Sequence, residues 1–454
     1  MKNAFRLSLL FLLLPIFSCD DSDDVAPEIM IPNSTTSVPG KAVIKVLQHS
    51  QGWVSLQETL QPQYLVTQPK RELVWRGPDF QSLSSYTPPE GWSLIDAVAH
   101  PSGQVSAVLV NLEIQRDPFF QIKILRLQNG ASITEALLEA LPIGGELTKY
   151  FPGSLDRVRL EAYEEDVYVV ARWDYNQVEA SRFSFSGSQF QLTWQKLVEP
   201  DTYAGSIGII GGGYDNFHQG DRYYFVYSGV DAQGNLYVAV PSHEDLLFQH
   251  DATFNENLME EADPANYDWG VAVLTKVSPS GERKYARLSG RSYKKRLLSM
   301  RVGEGNVYLV GREKTGTDPG SWDAWILAAE TSSGNTKYER QIDIQDGDMF
   351  WDIDPFPGGR VLAVGTKGYF QNPGGLSVSD SRFATAIIIN GQGAIEKEID
   401  LPQGPSERGS ETMFVKLFGR ESVVFAGVHN APGTHAEVYC DGFIAVRDLA
   451  IEEN

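Results

Sequence analysis

Three stretches decide the fold: DWGVAVLTKVSPSGERKYARL (268–288), DAWILAAETSSGNTKYERQI (323–342) and FATAIIINGQGAIEKEI (383–399). Each joins an apolar run to a more polar run through a turn containing Gly281, Gly334 or Gly393. A short apolar run bounded by turn residues reads as a buried strand, and its polar partner as a half-exposed one. A second hairpin precedes each stretch and ends on a glycine: LLSMRVGEGNVYLVG (297–311), DMFWDIDPFPGGRVLAVG (348–365) and ETMFVKLFGRESVVFAG (411–427). The unit is therefore four strands long, and its period is roughly 54 to 62 residues.

Units of this size that cannot bury their faces alone stack on their copies. Four-stranded units repeated along a chain suit an all-β β-propeller, which protects its strand edges by closing a ring. Fainter second strands recur upstream as WVSLQE (53–58), VSAVLV (105–110), DVYVVA (166–171) and NLYVAV (235–240). Outer hairpins recur as YLVTQPKRELVWRG (64–77), ILRLQNGASITEALL (124–138) and FSFSGSQFQLTWQ (183–195). Counting second strands gives seven blades of antiparallel strands, with six blades and an irregular N-terminal segment as the alternative. DGFIAV, from Asp441, opens a last unit that lacks its fourth strand. A strand from the other terminus closes such a ring, and EIMI (28–31) or AVIKVLQ (42–48) is the expected donor.

The turn in ETSSGNTKYER (330–340) resembles quinoprotein-type repeats, where an acidic residue, a glycine and an aromatic dock one blade on the next. Glu330, Gly334 and Tyr338 occupy those positions, and Trp194 and Trp75 match the aromatic in earlier units. The pairing of the strands also resembles bacterial SBBP-type propeller repeats, clearly over residues 268–446. The resemblance implies fold only, since propellers host many unrelated functions.

Residues 1–18, MKNAFRLSLLFLLLPIFS, begin with Lys2 and Arg6 and continue into an apolar run from Leu9 to Phe17. That run is shorter than the roughly 20 residues a membrane helix needs and has the form of a secretory signal. Ile16-Phe17-Ser18-Cys19 resembles a lipoprotein lipobox, with Phe17 bulkier than the usual residue. The resemblance implies cleavage before Cys19 and acylation of its sulfur and amine, and several acyl chains together anchor stably. The DDSDD that follows resembles the surface-export signal of Bacteroidetes lipoproteins. The expected organisation is a signal peptide over 1–18, a flexible acidic and Pro/Ser/Thr-rich tether over 19–40, and one propeller over 41–450. The expected location is the outer membrane, facing the periplasm or the cell surface, with the membrane itself as a partner through the acylated N-terminus.

The formal charge of −21 argues against a nucleic-acid partner, because phosphate binding needs clustered Lys and Arg. Cys440, the only other cysteine, sits in the strand-like VYCDGFIAV and has no disulfide partner if Cys19 is acylated. The propeller is expected to be monomeric.

Function is expected on the face where second strands meet third strands and blades join. Its connections are long: 241–267, 312–322, 368–381 and 428–439 of the first kind, and 77–92, 142–155 and 200–221 of the second. Long loops cost little closure entropy and commonly carry binding groups. Their aromatics, Trp173, Tyr175, Tyr203, Tyr214, Phe217, Trp322, Tyr369 and Phe370, are the candidates for stacking on a glycan or seating a protein. Each is otherwise a side chain that packs its own loop. His243 and His250 stand two helical turns apart, about 10.5 Å, too far to share an ion. His429 and His435 form no better pair. DIQDGDMFWDID (343–354) misses the calcium-loop spacing, and Asp352 and Asp354 instead suit an inner strand that bonds to neighbouring blades. GIIGGGYDNFHQG (208–220) lacks the Lys-Ser/Thr of a phosphate loop. No cofactor, resident metal or catalytic constellation is implied. The reading is a lipid-anchored binding or scaffold protein whose partner is an envelope protein or a glycan. The alternative is a carbohydrate-active or quinone-dependent propeller enzyme.

Overall fold

A computed structural model describes residues 34–49, 52–59, 70–111, 121–141, 158–174, 177–198, 226–241, 272–289, 295–315, 322–345, 347–368, 383–399, 401, 410–418, 422–429 and 441–449. All belong to one unit, Ile31–Asn454. The chain starts with strand β1 (Ser34–Pro39) and then makes its blades in order. Blade 1 is β2 (Ala42–His49), β3 (Gly52–Thr59), β4 (Lys70–Arg76) and β5 (Ser82–Tyr86). Blade 2 is β6 (Trp92–Ala99), β7 (Val105–Asn111), β8 (Gln121–Gln128) and β9 (Ala131–Leu138). Blade 3 is β10 (Val158–Tyr163), β11 (Asp166–Asp174), β12 (Gln177–Ser186) and β13 (Gln189–Leu197). Blade 4 is β14 (Tyr227–Val230), β15 (Leu236–Pro241), β16 (Ala272–Val277) and β17 (Arg283–Ser289). Blade 5 is β18 (Lys295–Gly303), β19 (Asn306–Lys314), β20 (Trp322–Glu330) and β21 (Thr336–Ile342). Blade 6 is β22 (Met349–Pro355), β23 (Val361–Lys367), β24 (Phe383–Ile389) and β25 (Ile395–Ile399). Blade 7 takes β26 (Glu411–Phe418), β27 (Ser422–His429) and β28 (Asp441–Asp448) from the end of the chain and β1 from its start.

The protein is thus a seven-bladed β-propeller, as the count of second strands predicts. Successive inner strands pack around a closed circuit: β2, β6, β10, β14, β18, β22, β26 and back to β2. The hydrophobic core is layered between blades. One layer joins Ile122 and Ile124 of blade 2 to Val167 and Val169 of blade 3, and another joins Val310 and Ile326 of blade 5 to Phe350 and Ile387 of blade 6. Second strands are apolar on both sides because each is sandwiched between two such layers.

The third-to-fourth-strand turns explain their glycines. Gly281, Gly334 and Gly393 have φ of +81°, +73° and +86°, a region that side chains disfavour. Each also lies under an aromatic from the preceding blade. A Cβ there would come within 2.9 Å of Trp194, 2.6 Å of Tyr285 and 2.8 Å of Tyr338 respectively. Trp194 Nε1 also donates to the carbonyl of Pro279, at 2.8 Å.

Several sequence expectations are corrected. The closing strand is β1, which lies between the two expected donors and inside the stretch read as tether. It pairs Ser34–Pro39 with Val446–Asp441 and buries a single side chain, Val38. The propeller therefore includes Ser34–Pro39, ahead of the expected start at residue 41. Trp75 is on the third strand and fully buried, so it is not a docking aromatic. The corresponding contact in blade 1 is made by Ser84 and Ser85 against Gly130. The outer hairpin of blade 1 spans 70–86, so the stretch 77–92 holds a tight turn, strand β5 and a blade link of only five residues, 87–91. Residues 1–33, with Cys19 and the expected signal peptide, lie outside the described residues.

Candidate functional site

The strand bounds separate two kinds of connection. At one end of the blades every turn, first to second strand or third to fourth, is five residues or fewer. The other end carries the second-to-third-strand connections and the blade links, including 242–271 and 198–226. Of the aromatics expected there, Tyr175, Tyr203, Tyr214, Phe217, Tyr369 and Phe370 lie outside the described residues, as do His243, His250, His435 and Cys440. Trp173 and Trp322 are described, and both are buried. Trp173 joins the layer between blades 2 and 3, and Trp322 lies under the Arg312 guanidinium, 4.3 Å from its ring centroid. These two side chains fix the strand ends at the long-connection face.

The channel side of the ring is built by a repeated device. Five inner strands carry an extra residue at an equivalent place: Ile44, Ile95, Leu298, Trp351 and Met413. Such a bulge re-aims the residues that follow it. Those residues are Lys45, Asp96, Ser299, Asp352 and Phe414, and two further along come Arg301, Asp354 and Lys416.

Their carboxylates tie each blade to its neighbours. Asp96 accepts from Lys45 Nζ of blade 1 at 2.8 Å and from the Leu160 N–H of blade 3 at 3.1 Å. Asp352 accepts from Ser299 Oγ (2.7 Å) and Arg301 (2.9 Å) of blade 5 and from the Val415 N–H of blade 7 (3.2 Å). Asp354 accepts from Lys416 Nζ at 3.0 Å and the Leu417 N–H at 2.8 Å. Ser228 of blade 4 donates to Glu161 of blade 3 at 2.8 Å.

Burial opposes the charged forms, and the neighbours decide the outcome. Burial alone would raise the pKa of Asp96, but Lys45, Arg159 and the Leu160 N–H hold it below its ordinary value. Glu161 goes the other way: burial raises it, the like charge of Asp96 adds to this, and Lys45, Arg301 and Ser228 oppose. Burial would lower Arg301, yet Asp352, Asp354, Glu161 and Asp96 around it raise it. These cations and carboxylates come from different blades and compensate one another. Chemically, this is a set of cross-blade clamps.

Among the described residues no group of three or more His, Cys, Asp or Glu is placed to hold a metal ion. His429 stacks on Phe443 at 4.4 Å between centroids, with Ser410 Oγ 3.1 Å from its Nδ1. The blade 5-to-6 link holds a different kind of acid. Asp348 is fully buried and its Oδ2 accepts from the Ile344 and Gln345 N–H groups at 2.6 and 2.7 Å. Sequence reading placed Asp352 and Asp354 on an inner strand, where they are, but missed Lys45, Asp96, Glu161 and Arg301. The signal available was an apolar residue next to a charged one near the middle of the first strand in every blade but blade 4, whose first strand is Tyr-Ser-Gly-Val.

No family model matches the chain, and no curated protein matches it. Among solved structures the similar ones are of low identity. A protein of unknown function from Dyadobacter fermentans is 11% identical, with 91% of this chain and 98% of that one covered at a TM-score of 0.45. YCF48 bound to a D1 peptide is 10% identical, with 92% and 96% covered and a TM-score of 0.46. A protein of unknown function from Bacteroides caccae is 9% identical, with 79% and 93% covered and a TM-score of 0.36. Among the described residues no helix is long and apolar enough to cross a membrane.

Proposed function

We propose that this chain is a lipid-anchored binding propeller of the bacterial outer membrane, facing the periplasm or the cell surface, which contacts a protein or glycan with its long-connection face. The observation that carries the reading is the inequality of the two faces. Turns at one end never exceed five residues, while insertions at the other reach across 242–271. Folding a blade requires no such excess, and connections of this length are where binding groups concentrate. The compensated channel charges support a rigid platform over a catalytic cavity.

The anchor reading rests on the lipobox-like Ile16-Phe17-Ser18-Cys19 and the acidic stretch after it. Strand β1 runs antiparallel to β28, and its Ser34 end is opposite Val446 at the short-turn face. The described chain therefore enters the ring at its short-turn face. The aromatic-on-glycine docking at Gly281, Gly334 and Gly393 supports a quinoprotein-like repeat.

The test is binding of purified protein to glycan arrays and to cross-linked envelope proteins, beside a variant with 243–266 replaced by a short Gly/Ser linker. A folded variant that loses binding at least about tenfold, or about 1.4 kcal/mol, is the expected result. Undiminished binding, or turnover of a glycan by the intact protein, would overturn the reading.

A further inference from the structure

The outer strands divide the rim into two arcs. β1, β5, β9 and β13, on the consecutive blades 7, 1, 2 and 3, hold only two charged residues among 28, Glu135 and Lys196. β17, β21 and β25, on blades 4 to 6, hold nine among 19. Composition does not explain the contrast, since 21% of the whole chain is charged. Exposed aliphatics follow the same division. Leu83, Ile133, Leu137 and Leu192 are 61%, 38%, 56% and 46% exposed on the low-charge arc, against Ile395 among the described side chains on the outer strands of the other. Edge strands are ordinarily blunted by charge, and here only half the rim is.

The low-charge arc starts at β1, the strand that the chain from Cys19 enters at Ser34. Fourteen residues, 20–33, separate the two, a reach of at most about 50 Å. An anchor that holds the ring this close makes even a weak surface contact effectively intramolecular. A molecule of charge −21 is repelled least by anionic headgroups where its own surface is uncharged. Edge N–H groups and the hydroxyls of the exposed Ser82 and Ser132 supply donors for lipid phosphates and esters, and the four aliphatics supply apolar contact.

We propose that this arc is the side on which the anchored propeller rests against the lipid surface, standing on its edge with the long-connection face opening sideways. The proposal rests on the anchored reading, but it can be tested apart from it. The chain 19–454 carrying Cys440→Ser is coupled through Cys19 to maleimide-headgroup lipid in vesicles of phosphatidylcholine with phosphatidylglycerol. Hydrogen exchange is then compared with the uncoupled chain. Slower exchange over 82–86, 131–138 and 189–197, with 283–289, 336–342 and 395–399 unchanged, is the expected result. In the variant Leu83→Glu/Leu137→Glu/Leu192→Glu, checked for an unaltered melting temperature, that protection should disappear. Should the triple variant not fold, the wild-type exchange pattern alone decides. Protection spread evenly, on the charged arc or on the short turns overturns the proposal. So does protection of the same strands without vesicles that rises with protein concentration, which would mark a second copy as the occupant. The mass of the native N-terminal peptide separately reports acylation at Cys19, so a failure of the anchor is distinguishable from a failure of the arc.

Discussion

Two buried titratable side chains, on different blades, oppose each other in acid. Burial lifts Asp348 to about 7 against its two N–H donors, and Asp323 and Asp343 add to the rise. Burial and the nearby Arg126 push His100 down to about 4; its Nδ1 meets the Glu164 carbonyl and its Nε2 the Ser106 hydroxyl, at 2.9 Å each. A carbonyl only accepts, so the ring proton is on Nδ1. For Asp348 the folded value exceeds the unfolded value of about 3.9, so its contribution is full in acid and is lost as pH rises through 7. For His100 the folded value lies below about 6.5, so its contribution is full above that and is lost as pH falls toward 4. Asp348→Asn should therefore lose stability more steeply on acidification from pH 7 than the parent, and His100→Gln less steeply. Urea midpoints measured across this range decide it, and three superimposable curves would refute the assignment. Asp348 was legible as part of an acidic stretch, but its burial was not, because the Trp322 carbonyl that receives its N–H comes from another strand.

At the scale of elements, ring closure depends on a strand with little side-chain burial. Beyond its pairing with β28, β1 is held by Arg447 donating to the Ser34 carbonyl at 2.9 Å and to Thr35 Oγ1 at 3.1 Å, and by Gly40 N–H donating to Asp441 at 3.2 Å. A chain starting at residue 40 should melt well below one starting at residue 33, since β28 is left as an open edge. Equal melting temperatures would show that β1 is dispensable. The same features explain what sequence reading found and missed. Second strands such as DVYVVA are apolar on both faces and announce themselves. STTSVP alternates nothing apolar with anything polar, and its one buried residue, Val38, leaves no period to detect. SLSSY of β5 was lost for the same reason, which shifted the outer hairpin of blade 1 by several residues.

At the scale of the whole molecule, the clamps around the channel make distant blades fail together. Asp352→Ala would leave Arg301, Ser299 and the Val415 N–H without their acceptor. Breaking one side of a buried charge pair costs about 3–5 kcal/mol. The expected signature is faster hydrogen exchange in blades 5, 6 and 7 alike; acceleration confined to blade 6 would show that the clamp does not transmit. The blade count was legible because repetition is a property of the chain, whereas the clamps join residues 51 to 67 positions apart and exist only once the ring closes. Closure by β1 also has a mechanical consequence. A pull on the chain ahead of Ser34, directed along the strand and resisted by a partner held on the opposite face, loads all the β1–β28 hydrogen bonds at once, in shear. The same pull directed outward from the rim peels them one at a time. The closing strand is thus a directional latch, strong along its own length and weak across it.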